Sequence, residues 1–83
     1  MSIQPTPEMR QLRVVPRNIM AGDLIEVLRY RGGKAWELVV DITPHGHWPK
    51  IETLDETGAS SAYNVAANSR HNISRSGPKG LGE

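Results

Sequence analysis

An 83-residue chain of 9.2 kDa has room for one small domain, and 37% hydrophobic residues without any Phe leave its core to aliphatics plus Trp36, Trp48, Tyr30 and Tyr63. The chain has no Cys, which excludes disulfides, thiolate nucleophiles, Cys-ligated zinc and iron–sulfur clusters and suits a reducing cytoplasm. Ten Lys and Arg against nine Asp and Glu give a net charge of +1, short of the basic excess of a protein that coats DNA.

Residues 1–9 hold Pro5 and Pro7 and little that packs, so a flexible N-terminal segment is expected. They show neither the basic nor the apolar region of a leader peptide. No later apolar run approaches the roughly 20 residues that span a bilayer, so the chain reads as cytoplasmic, with no membrane partner. Residues 11–15 read as a short strand ended by Pro16.

The strongest local signal follows. Two alternating stretches, 23–30 and 35–42, flank Arg31-Gly32-Gly33-Lys34, which is a β-hairpin signature. With Gly32 and Gly33 as the central pair of a type I′ turn, both take positive φ. Arg29 then faces Trp36, Val27 faces Leu38 and Ile25 faces Val40. One face collects Ile25, Val27, Trp36, Leu38 and Val40, and a slip of one residue would scatter them. The other face carries Leu24, Glu26, Leu28, Glu37, Val39 and Asp41, with more aliphatic carbon than a solvated surface needs.

Residues 43–49 contain Pro44 and Pro49, which remove ladder donors, and form the loop to a second hairpin. Its strands are 50–54 and 60–65, joined by Asp55-Glu56-Thr57-Gly58, where Asp suits the first position of a type I turn and Gly the left-handed one. Residues 66–70 are expected to make one helical turn before a last strand at 71–74, and 76–83 to form a flexible tail rich in Gly. The domain is therefore residues 10–75, all-β, with five or six mostly antiparallel strands in a small barrel.

The pattern Ile19-x-x-Gly22-Asp23-x-Ile25-x-Val27, then Gly33, Leu38-x-Val40-x-Ile42, Leu54-Asp55-x-x-Gly58, Tyr63-x-Val65 and Ile73 resembles an SH3-like β-barrel of the KOW-type modules of bacteria and phages. The resemblance covers nearly the whole domain. It implies a barrel and a binding role, and names no ligand. A dense aromatic groove of the kind that reads polyproline is missing.

Two surfaces are candidates for that binding. The first hairpin tip gathers Arg29, Arg31 and Lys34 with Trp36 and Tyr30, cations beside stacking rings, as small barrels use to hold nucleic acid. Arg29 opposite Trp36 also suits a cation–π contact. The alternative is a protein partner, a homodimer among the options, engaged through Leu24, Leu28 and Val39 of the second hairpin face and through Trp48. Residues 1–20 folding over that face is the bland counterpart. On size grounds Trp48 is expected to fold back as a lid on the core, with a displayed anchor as the functional alternative.

His45 and His47 sit either side of Gly46 on the Pro-bounded loop, a spacing that matches no metal template and reads as exposed loop histidines. Ser60, Ser61, His71 and Asp55 can be named as a triad on paper. No nucleophile elbow, paired carboxylates, phosphate loop or cofactor fingerprint accompanies them, so neither catalysis nor a cofactor is expected.

Overall fold

The alternating stretches become strands because each buries one set of side chains against its neighbours. The structure, a computed structural model, describes residues 3–29 and 32–76. Six strands, β1 (Arg10–Val14), β2 (Leu24–Leu28), β3 (Lys34–Thr43), β4 (Lys50–Leu54), β5 (Ser60–Asn64) and β6 (His71–Arg75), form one antiparallel sheet in the order β1-β6-β2-β3-β4-β5. A 3₁₀ turn at Pro16–Asn18 follows β1. Among the described residues no helix is long and apolar enough to cross a membrane.

The core is Ile19, Ile25, Val39, Ile51 and Ile73, all at most 5% exposed, with Leu12, Val14, Val27, Ile42 and Val65 packed against it. These residues come from nearly every strand, and Val65 from the β5 end meets the same cluster as Leu12 and Val14 from the opposite edge. Six strands laid flat would set the edges roughly 24 Å apart at the usual strand spacing. The sheet therefore curls. It stops short of the expected barrel, because among the described residues no ladder joins β1 to β5. The chain leaving β5 stays with the β3–β4 loop instead: Val65 N–H donates to the Pro49 carbonyl at 3.1 Å and Ala67 N–H to the His47 carbonyl at 2.9 Å. The expected helical turn at 66–70 is a hydrogen-bonded turn, closed by Ser69 N–H to the Ala66 carbonyl.

The expected register of the first hairpin is overturned. Val27 lies opposite Ala35, three residues before the expected Leu38, and Glu26 rather than Arg29 lies opposite Trp36. The connection is longer than a two-residue turn: Arg29 N–H donates to the Gly33 carbonyl and Gly32 N–H to the Arg29 carbonyl. An odd shift inverts one strand's faces. Ile25 and Val27 thus share their face with Glu37 and Val39, while Trp36 and Leu38 join Leu24, Glu26 and Leu28 on the other. A bulge at Val40, which is 41% exposed, then turns Ile42 back to the core opposite Ile51.

The second hairpin forms as the sequence indicates. Gly58 takes φ 86° and its N–H bonds the Asp55 carbonyl, while the Asp55 carboxylate accepts from the Thr57 hydroxyl at 2.6 Å, Thr57 N–H at 2.8 Å and Ala59 N–H at 3.0 Å. These bonds, the Thr57 hydroxyl foremost, hold the Asp55 carboxyl below the usual carboxylate range.

Of the two tip glycines only Gly32 is left-handed, with φ 81°, and Gly33 has no near neighbour that a Cβ would strike. Gly32→Val should therefore lower stability by about 1–2 kcal/mol, the cost of left-handed backbone for a residue with a Cβ. Gly33→Val should stay within about 0.5 kcal/mol, as surface changes do. Urea unfolding of both variants checks the pair, and an equal loss from each would contradict this tip.

Candidate functional site

Two carboxylates lie on the core side of the sheet, and each is met by donors from distant segments. Glu37, 2% exposed, accepts from Thr53 Oγ1 of β4 at 2.6 Å and from the Tyr63 hydroxyl of β5 at 3.0 Å, and its second oxygen lies 3.4 Å from the Arg29 guanidinium. Burial first, and the bond to Glu37 second, push the Tyr63 phenol above its usual range. Asp23, 3% exposed, is gripped by Arg75 Nε and Nη2, both at 2.9 Å, and accepts from Met20 N–H at 2.8 Å. Arg75 also donates to the Asn18 carbonyl, so one side chain joins β6, β2 and the 3₁₀ turn. Such two-pronged pairing is the geometry that makes a buried carboxylate tolerable.

This wiring changes the basic tip. Arg29 turns toward Glu37 rather than over Trp36, and the expected cation–π pair is replaced by an ion pair. Tyr30 and Arg31 lie outside the described residues. Arg29, Lys34 and Trp36 nevertheless line one cleft of about 530 Å³, together with Gln4, Pro5, Gln11 and Glu56. Gln4 and Pro5 thus stand beside Trp36 at this cleft, and an acid shares it with the cations.

The apolar partner face dissolves as the sequence drew it. Val39 is in the core at 1% exposure, because the register places it beside Ile25. Leu24 is buried at 8%, between Leu38 and Ser74, and only Leu28, at 75%, stands in solvent. Trp48 also departs from expectation. It is 57% exposed and displayed, not a lid, since the core is filled by Ile and Val.

Next to Trp48 the sheet end opens into a groove of about 550 Å³ between the 3₁₀ turn, the β3–β4 loop and the β5–β6 turn. Its walls are Pro16, Ile19, Ile42, Pro44, Pro49 and Ala67, with Arg17 as the one cation. A smaller hollow lined by His47, Trp48 and residues 66–68 adjoins it, sharing Ala67 and Asn68. Sequence reasoning missed this groove. The available signal was three prolines, Pro16, Pro44 and Pro49, each bounding a strand; the fold brings all three to one groove.

His45 and His47 are exposed, and among the described residues no three His, Asp or Glu gather around a point that would hold a metal ion. The paper triad does not assemble. Asp55 is engaged within its own turn, and His71 pairs with Ser69, which the sequence reading did not single out. Ser69 Oγ donates to the Ala66 carbonyl at 2.6 Å, so the 2.7 Å contact to His71 Nε2 is a donation from the imidazole. In that arrangement the Ser69 hydroxyl points its proton at a carbonyl and not at His71.

Burial, and then the charge of Arg13, hold the His71 imidazole below its ordinary value of 6.5. The unfolded chain therefore takes up a proton where the folded one does not. Stability should be full at neutral pH and fall as pH drops below about 6.5 toward the depressed folded value. His71→Gln should flatten that part of the profile relative to the parent chain in urea midpoints measured across pH; parallel profiles would contradict it.

The chain matches no family model, no curated protein and no solved structure, so its function is read from these side chains.

Proposed function

We propose that this chain is a non-catalytic module that binds an apolar segment of a partner protein in the groove beside Trp48. The observation that carries the reading is the pairing of an apolar, proline-walled groove with an indole, 57% exposed, that lines the smaller hollow sharing Ala67 and Asn68 with it. An exposed Trp beside a preformed concavity is how interfaces concentrate their binding energy. The groove also lies at the far end of β3 from the basic tip, and Arg17 is the one cation among its lining residues.

Selection of random peptides on the immobilised chain tests this. Peptides rich in apolar residues should emerge, and Trp48→Ala should weaken them by about 2 kcal/mol or more, as hot-spot truncations do. Leu28→Arg, at the opposite end of the sheet, should leave them unchanged. Binding indifferent to Trp48, or no enrichment, would remove the groove reading.

One observation favours nucleic acid as a second reading: Arg29, Lys34 and Trp36 share a cleft. Glu56 in that cleft and Glu37 beneath Arg29 oppose a phosphate, which is why it stands second. If a single strand binds there, affinity falls linearly with the logarithm of salt, and Lys34→Ala lowers the slope by about 1. Absence of any mobility shift with RNA or DNA oligomers at low salt would end it.

A further inference from the structure

The two edges of the sheet are not alike. β1 carries Arg10 and Arg13 and is preceded by a turn closed by Met9 N–H to the Thr6 carbonyl. Charged side chains along an edge are a usual protection against unwanted strand pairing. β5, Ser60-Ser61-Ala62-Tyr63-Asn64, has no charge, no Pro and no bulge in its register with β4.

The backbone phase of β5 is fixed by its neighbours. Asp55 N–H bonds the Ala59 carbonyl, Val65 N–H the Pro49 carbonyl and Ala67 N–H the His47 carbonyl, and the register between β4 and β5 runs unbroken between them. Bonded pairs alternate along an antiparallel ladder, so Ser61 and Tyr63 direct their backbone groups to β4. Ser60, Ala62 and Asn64 direct theirs outward. No strand among the described residues receives them, and all three side chains are exposed.

We propose that β5 is a self-recognition edge that pairs antiparallel with β5 of a second copy of this chain, about a two-fold axis through Ala62. The outward groups are symmetric about that residue. Ser60 meets Asn64 of the second copy, Ala62 meets Ala62, and each pair exchanges two N–H···O bonds, six across the axis. The side chains flanking the junction are small and uncharged, so the pairing juxtaposes no like charges and meets no bulk. The occupant is a second copy because self-pairing about Ala62 sets the polar ends Ser60 and Asn64 against each other and the small Ala62 against itself, with no charge on either strand. This inference concerns the edge and does not depend on the groove beside Trp48.

Sedimentation equilibrium of the full chain from micromolar to millimolar, with amide hydrogen exchange by NMR on the same samples, tests it. A monomer–dimer equilibrium is expected, with the amides of Ser60, Ala62 and Asn64 gaining protection as the dimer fills and those of Ser61 and Tyr63 protected throughout. Ala62→Pro removes the central outward donor at an edge position that tolerates proline, and should leave a monomer with native spectral dispersion. Should that variant misfold, Ala62→Lys, which places like charges face to face on the axis, should give the same monomer. A monomer at every concentration would overturn the proposal. So would a dimer that survives either substitution, or one whose Ser60, Ala62 and Asn64 amides exchange as fast as in the monomer.

Discussion

A carboxylate inside an aliphatic core has to be met by donors from several directions, and Glu37 is met from three. Thr53, Tyr63 and Arg29 belong to β4, β5 and the end of β2, so satisfying one side chain fixes three segments relative to β3. An ionised group left without them would face a desolvation penalty of several kcal/mol, comparable to the whole stability of a domain this small. The register of β2 on β3 follows from this requirement. Any register that put Trp36 and Leu38 on the core side would turn Glu37 away from Thr53 and Tyr63.

Asp23 and Arg75 do for the β2–β6 half of the sheet what Glu37 and its donors do for the β3–β5 half. They are 52 residues apart, and their bidentate bond joins the start of β2 to the end of β6 beside the 3₁₀ turn that carries Pro16. Two of nine acids are thereby spent inside the fold with two cations. Because each clamp removes one charge of each sign, the groups left outside the clamps keep the net charge of +1. The same clamps tie the strands across the core; the strand order leaves β5 at an edge, and the three prolines line one groove.

Much of the strand layout was legible in the sequence, since alternation and breakers are local. Pro16, the Pro44–Pro49 loop and Asp55 to Gly58 each mark a boundary that the structure keeps. Register was not legible. Ranking faces by hydrophobicity placed Trp36 and Leu38 inside and Glu37 outside, and only the non-local donors Thr53 and Tyr63, invisible to pattern, reverse that order. The Val40 bulge was hidden for a similar reason: three consecutive aliphatics, Leu38 to Val40, give no phase. The binding tip inherited the register error, losing Arg29 to Glu37. Trp48 was misjudged because size alone argued for burial, whereas β-branched and other aliphatic side chains already fill the core.

The two proposed binding surfaces are places the clamps leave exposed: the groove beside Trp48 and the uncharged edge at β5. Both depend on the interior acid choosing the register, and that choice has a direct readout. Val39 N–H bonds the Asp23 carbonyl and Arg29 N–H the Gly33 carbonyl, so Glu26 and Trp36 form a pair without ladder bonds, the kind whose Cα atoms approach to about 4.5 Å. Cross-strand nuclear Overhauser effects between α-protons in the native chain are therefore decisive. A strong Glu26–Trp36 contact, with none between Val27 and Leu38, is the predicted result; a Val27–Leu38 contact would put Glu37 on the opposite face and contradict the account.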